Sequence, residues 1–327
     1  MARLHVLDVD PRIARRWAVG RAVGILGFAV LLTALVFAPQ PALTMLWSVA
    51  VPLLPASFFI SPAFWRGVCP LSSLNAWGNR FGPAREMTAR EASAIGVAGL
   101  ILFHLLVPAR HLGLNTDGPV LAGALAAIAL IAVASGARYA SRSAFCNALC
   151  PVLPVERLYG QAPLVEVARG RCESCTVCTP RGCIDLADRK AMRQLLGAPR
   201  LGGQWLQTPF GIFAAALPGF IVGYGLVPDA GFGEAPSVYA ATLGGAMASY
   251  VVVRALVSAT RSTPVRAIAW CGALSGGLYY WYAAPVLTRN LGLIDVAVPA
   301  IRAVAIGAIS AWLLRTLARD RAAAVEQ

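Results

Sequence analysis

Charged residues are scarce in this 327-residue chain, where Asp, Glu, Lys and Arg make up 13% of the sequence, against about 25% in an ordinary soluble domain. Hydrophobic residues make up 58%, and the mean hydropathy is +0.66. A soluble fold has no place for so much apolar surface. The composition therefore excludes a soluble globular protein, a secreted disulfide scaffold and a disordered chain. It predicts that most of the chain lies in a lipid bilayer.

Lysine is nearly absent, since Lys190 is the only one among 28 basic residues. The sequence also lacks a glycine-rich phosphate loop and any pairing of a nucleophile with a base. These absences leave a nucleotide-dependent enzyme or a hydrolase without support. The net charge of +13 would suit a nucleic-acid partner, and the distribution of the basic residues along the chain decides that question.

Apolar segments of about 20 residues are long enough to span a bilayer. Eight are present, at 18–38, 42–60, 92–109, 118–137, 209–227, 237–258, 266–287 and 297–316. With the N-terminus inside, 25 of the 28 basic residues fall on the inner side, and the exceptions are Arg110, Arg289 and Arg302. This asymmetry follows the positive-inside rule, so the basic charge indicates orientation and nucleic acid is not an expected partner. The sequence predicts an all-α integral membrane protein in contact with lipid, in a bacterial-type inner (cytoplasmic) membrane, with both termini cytoplasmic.

The predicted spans divide the chain into a four-helix membrane half at 1–137, a polar cysteine-rich module at 138–208 and a second four-helix membrane half at 209–327. Seven of the eight cysteines fall in inner polar segments, where reducing conditions disfavour disulfides and clustered thiols bind metal. Cys271 lies in the seventh span and is expected to be a small buried residue. The glycine pairs Gly244–Gly245 and Gly276–Gly277 are expected to allow close helix packing.

The most specific motif is a C-x2-C-x2-C-x4-C run between spans four and five, formed by Cys172, Cys175, Cys178 and Cys183. Three thiolates at two-residue gaps can surround one compact cluster, whereas zinc sites favour two separated cysteine pairs. The motif therefore predicts a [4Fe–4S] cluster in preference to zinc. A strand-like run at 162–167 precedes the cysteines and an amphipathic helix at 184–196 follows them, which together predict a small cytoplasmic ferredoxin-like module.

Two further motifs follow even-numbered spans. Cys146, Cys150 and Pro151 form a C-x3-C-P run after the fourth span. Cys69 and Pro70 repeat its end after the second span, with Trp65 in place of the first cysteine. The repetition predicts two related helix pairs, each ending in a C-P corner at the inner surface. Cys146, Cys150 and Cys69 are secondary candidates for metal ligands.

Residues 17–196 resemble the polytopic membrane 4Fe–4S ferredoxins of the NapH, NosR and FixG type. That family carries two C-x3-C-P motifs at cytoplasmic helix ends together with ferredoxin-type cysteine motifs. The resemblance implies quinol oxidation or quinone-linked electron transfer, or a role in servicing metalloenzymes. This chain departs from the family in having one ferredoxin motif, which ends C-x4-C and is followed by Ile184 instead of Pro.

The ligand set stays open between two assignments. In one, Cys172, Cys175, Cys178 and Cys183 all bind a single cluster. In the other, Cys150 or Cys69 completes the first cluster, and Cys183 joins the remaining membrane-proximal cysteines. Seven inner cysteines cannot fill two all-cysteine cubanes, which favours one cluster over two.

His104, in the third span, is a candidate quinol proton acceptor, with a hydrogen-bonded helix-packing role as the alternative. No other span carries a facing histidine, so haem is not expected. The sequence predicts a membrane-bound iron–sulfur electron carrier between the quinone pool and a partner redox protein. The alternatives are an accessory or maturation factor for a metalloenzyme and a structural anchor of a redox complex. Whether the chain is a quinol-linked oxidoreductase component is left open.

Overall fold

The computed structural model describes residues 11–82, 85, 87–139, 145–165 and 202–325, which are nearly all helical. The α-helices in chain order are α1 Pro11–Phe37, α2 Pro39–Met45, α3 Val51–Ile60, α4 Pro62–Val68, α5 Pro70–Gly78, α6 Ala89–Ala109, α7 Gly118–Arg138, α8 Leu153–Tyr159, α9 Pro209–Leu226, α10 Ala235–Thr260, α11 Pro264–Asn290 and α12 Ala297–Val325. No β-strand occurs in these ranges, and one isolated bridge joins Arg85 to Tyr139.

Seven segments of the described chain are long and apolar enough to cross a membrane. They are Arg15–Phe37, Pro39–Ile60, Arg90–Leu112, Gly118–Arg138, Pro209–Leu226, Phe232–Thr260 and Ala297–Asp320. The second combines α2, the π turn Leu46–Ala50 and α3. Many large apolar side chains on these helices point outward, Leu26, Leu130 and Val304 among them. A lipid environment accounts for that exposure. The chain is an all-α, multi-pass membrane protein.

The predicted seventh span, 266–287, forms helix α11 but is not among the seven. The prediction of eight apolar spans exceeds the observed count by one, because α11 carries polar side chains along its length. These side chains bond inside the bundle: Tyr280 Oη donates to the carbonyl of Pro52 at 2.8 Å, and Tyr159 Oη donates to Ser275 Oγ at 3.2 Å. One face of α11 therefore packs inside the bundle, while Trp270, Leu274 and Trp281 of the same helix are exposed.

Three of the long helices begin with both a side-chain cap and a proline. Asp117, Thr208 and Thr263 each accept a hydrogen bond from a backbone N–H of the first turn, and a proline stands at the start of each of these helices. Thr88 and Glu91 form a reciprocal capping box at the start of α6. These residues pair N–H groups that have no partner inside the helix.

Helices α9 and α10 cross closely at two glycines. A Cβ at Gly219 would lie 2.0 Å from the carbonyl oxygen of Gly245, and a Cβ at Gly245 would lie 2.3 Å from that of Gly219. Gly244, the neighbour of Gly245, faces open space. Close approach of small residues replaces a hydrophobic driving force between membrane helices.

The second span stops at Ile60, because Ser61 is extended and Pro62 begins a new helix. This break leaves carbonyls at the end of α3 without intrahelical partners. The N–H of Leu164 donates to the carbonyl of Phe59 at 3.0 Å, and that of Val165 donates to Ile60 at 2.8 Å. The prediction of a strand at 162–167 is therefore wrong for 162–165, whose backbone pairs with a helix end. The rest of that run and the predicted helix at 184–196 lie outside the described residues.

Residues 145–165 enter the helix bundle. The π turn Phe145–Leu149 packs against Gly99, at the midpoint of α6, where a Cβ would lie 2.7 Å from the carbonyl oxygen of Ala148. Further along, Tyr159 of α8 is buried and stacks on Phe59 with ring centroids 4.4 Å apart. Irregular backbone is tolerated at membrane depth where protein covers it. The second C-P corner thus lies within the bundle, not at its inner surface as the sequence predicted.

Candidate functional site

The two C-P corners come from different helix pairs and meet. Cys69 separates α4 from α5, and its N–H donates to the carbonyl of Trp65 at 2.9 Å. Cys150 closes the π turn through a 2.8 Å bond from its N–H to the carbonyl of Phe145. The pKa of the Cys150 thiol is raised to about 12, chiefly by burial and also by the neighbouring Cys69. The fold therefore brings together one cysteine from each corner.

Cys146 has different surroundings from this pair. It is buried in an apolar cluster with Ala132 and Phe145, and Cys150 packs at the edge of that cluster. Within the described ranges, no group of three or more His, Cys, Asp or Glu side chains is placed to hold a metal ion. The corners thus supply two neighbouring thiols. The main candidates Cys172, Cys175, Cys178 and Cys183 lie outside the described residues, so their role stays a prediction.

A buried ion pair lies next to the corners. Arg66, on the last turn of α4 before Cys69, pairs through Nε with Oε1 of Glu156 on α8. Their side chains are only 7% and 5% exposed. Removing two charges from water costs several kcal/mol per ion, which their mutual attraction has to offset. Ionisable groups buried inside a membrane protein are functional candidates for that reason.

Arg157 adds a second positive charge beside the thiols. Its Nη2 donates to the carbonyl of Asn147 at 3.4 Å. The pKa of Arg157 is lowered to about 10, because burial and the nearby Arg66 outweigh Glu156 and Cys150, which raise it. Among the described residues, two guanidinium groups and one carboxylate lie close to Cys150. Positive charge is suited to a reduced iron–sulfur cluster, but at Cys150 burial and the nearby Glu156 prevail and keep the thiol protonated.

The sequence analysis missed Arg66, Glu156 and Arg157 as site residues. Their signal was present but weak: each is a charged residue in a mainly apolar segment within a few positions of a C-P motif. The pairing itself joins residues 90 positions apart. Local spacing gives no information about such a contact.

His104 lies on α6 and faces α9. Its Nδ1 is 2.8 Å from the carbonyl oxygen of Leu100, which can only accept, so Nδ1 carries the hydrogen and the Nε2 of the neutral ring is left as an acceptor. The ring centroid lies 5.0 Å from that of Phe220 and 6.1 Å from that of Phe213. These contacts support the helix-packing role. The proton-accepting role stays a prediction.

A second polar cluster lies at the C-terminal end of α6. His111 Nδ1 is 2.8 Å from Asp229 Oδ1, and the carbonyl of His111 accepts from Ala230 N–H at 2.8 Å. Arg110 Nη1 donates to Tyr224 Oη at 3.0 Å. These bonds fasten the end of α6 to α9 and to the connection that follows it.

Fold and site together define a multi-pass, all-α membrane protein with two converging cysteine corners and a buried ion pair. Comparison of the chain with protein-family models, curated proteins and solved structures found no match.

Proposed function

We propose that this chain is a membrane-bound iron–sulfur electron-transfer protein, which links the quinone pool to a partner redox protein through a [4Fe–4S] cluster. The observation that carries the proposal is the buried Arg66–Glu156 pair, which joins α4, ending at Cys69, to α8, which follows Cys150 and carries Arg157. Thiols with adjacent positive charge are typical of iron–sulfur and redox sites. With α11 counted as the eighth crossing, the arginine distribution supports a cytoplasmic membrane with both termini inside.

The cysteine run Cys172, Cys175, Cys178 and Cys183 would hold the cluster, with Cys150 or Cys69 as the alternative fourth ligand. When bound, the cluster supplies the electron-transfer step. The residues of the chain supply position and charge. Val165, the last described residue before the run, bonds to Ile60 next to the start of α4. The described chain before the cysteine run is therefore fixed to the end of α3.

Purified protein is expected to be brown and to contain about four iron and four labile sulfide per chain, with a cluster EPR signal on reduction. Cys175→Ser is expected to abolish the signal and most of the iron, because it removes one ligand of the cluster. Cys271→Ser is the matched control, since Cys271 is buried in α11 among apolar neighbours. A colourless protein with stoichiometric zinc would contradict the iron–sulfur proposal.

Serine variants of the other cysteines separate the two ligand assignments. If the run binds a single cluster alone, Cys183→Ser loses the cluster while Cys69→Ser and Cys150→Ser keep its iron. If a corner cysteine completes the first cluster, Cys150→Ser or Cys69→Ser lowers the iron content and alters the EPR signal. The first result would exclude the corner pair as ligands, and the second would assign one of its members as the fourth ligand.

His104→Phe tests the link to quinol, because phenylalanine keeps the ring that packs on Phe220 but removes the Nε2 acceptor. A proton-accepting role predicts a fall of about 10²–10⁴-fold in quinol-dependent cluster reduction in proteoliposomes. Reduction of the same protein by dithionite should be unchanged. Equal quinol rates for the variant and the original would make His104 a packing residue. A cluster that quinol never reduces would favour the accessory or maturation role for the whole protein.

A further inference from the structure

A groove of about 730 Å³ opens on the surface between α1 and α5. Arg21, Ala22 and Ile25 line it from α1, and Leu74 and Trp77 line it from α5, with Arg80 just beyond. Its wall is mostly apolar, and the two arginines are the charged residues in it. The groove lies on the opposite face of α5 from the residues that pack on α7, which include Asn75 and Gly78.

The arginines and the apolar side chains of the groove lie at different depths in the helix bundle. Backbone contacts place Gly78 beside Val133 and Gly82 beside Ala137, so Arg80 lies level with the last turn of α7, which ends at Arg138.

On α1, Arg21 is one turn closer to the helix start than Ile25, so both arginines lie near the same end of the bundle and Ile25 lies deeper. Trp77 is 48% exposed and packs edge-on against Phe81, with ring centroids 4.7 Å apart. Half-exposed tryptophan is typical of the membrane–water boundary.

We propose that the groove binds an anionic phospholipid, with its phosphate at Arg21 and Arg80 and an acyl chain along Ile25, Ala22 and Leu74. Guanidinium groups match phosphate in charge and in hydrogen-bond geometry. Basic pockets between membrane helices near the cytoplasmic side are suited to phospholipid head groups. The small side chain of Ala22 leaves room for the acyl chain.

Native mass spectrometry of the whole protein, with phosphatidylglycerol or phosphatidylcholine added in defined amounts, tests the proposal. We expect phosphatidylglycerol to be retained more strongly than phosphatidylcholine. Arg80→Gln and Arg21→Gln should each weaken phosphatidylglycerol retention about fivefold, which corresponds to about 1 kcal/mol per basic residue. Arg289→Gln is the charge-matched control, because Arg289 is exposed at the far end of α11. Ala22→Trp should also weaken retention, since it fills the groove without changing charge.

Three outcomes would overturn the lipid assignment. The first is equal retention of phosphatidylglycerol by the original protein and by Arg80→Gln. Arg80 is exposed, so its substitution is expected to leave the fold intact. The second is equal retention of phosphatidylcholine, which would remove the role of the anionic head group. The third is displacement of the lipid by inorganic phosphate at comparable concentration, which would make a free anion the ligand.

Discussion

Glu156→Gln is expected to lower the free energy of unfolding by about 3–5 kcal/mol, because it leaves the buried guanidinium of Arg66 without its carboxylate. The loss extends to Arg157, whose pKa is raised by the same Glu156. Arg66 and Arg157 would then lie close together without the carboxylate that pairs with the first and raises the pKa of the second. Unfolding in mixed detergent micelles, followed by circular dichroism against the fraction of denaturing detergent, measures the change.

The control for this experiment is Asp320→Asn. Asp320 pairs with Arg266 Nε at 3.0 Å, but the arginine side chain is 45% exposed. An exposed pair of this kind contributes about 0–1 kcal/mol. The double variant Arg66→Met with Glu156→Gln should recover part of the loss, because it removes the unpaired charge. A Glu156→Gln protein no less stable than Asp320→Asn would show that the buried pair does not stabilise the site.

Gly245→Leu is expected to destabilise the protein by about 3 kcal/mol, at the upper end of the usual cost of overpacking. The new side chain would meet the backbone carbonyl of Gly219, which cannot move aside as a flexible side chain can. Helices α9 and α10 would have to separate along their crossing. The loss of packing should appear as a lower unfolding midpoint in detergent and as faster proteolysis.

Gly244→Leu is the matched control, one position along the same helix. Nothing lies within 4 Å of a Cβ built at Gly244, and leucine has a better helix propensity than glycine by about 0.5–1 kcal/mol. This variant should therefore be as stable as the original or slightly more so. A similar loss in both variants would mean that the helix crossing does not depend on Gly245.

Apolar run length and helix-start residues made much of the fold predictable. The seven observed spans coincide with seven of the eight predicted ones, within a few residues at their ends. The helix α11 is the informative exception. Its ends were predicted to within a few residues, but Tyr280 and Ser275 form hydrogen bonds inside the bundle, with Pro52 and Tyr159. A hydropathy pattern registers such residues as polar and does not show that they are paired.

The glycine pairs also separate what a sequence pattern predicts from what only the packed structure shows. The sequence indicates that Gly244–Gly245 and Gly276–Gly277 allow close packing. The structure uses one member of each pair, since Gly245 meets Gly219 and Gly276 meets the ring of Phe59. Gly277, like Gly244, faces open space. Rotation of a helix about its axis is set by all of its neighbours, so the pair alone does not reveal which glycine faces the partner.

Some features of the candidate site were predictable from the sequence, and others were not. The sequence by itself determined the helical membrane class, the cysteine motifs and the proline that follows each corner, because these depend on composition and on spacing along the chain. Only the tertiary structure decided that Cys69 and Cys150 are neighbours, that Arg66 pairs with Glu156, and that residues 145–165 lie within the bundle. Each of these contacts joins segments distant along the chain. They exist because helix packing buries charges and carbonyls that must then find partners, wherever in the sequence those partners stand.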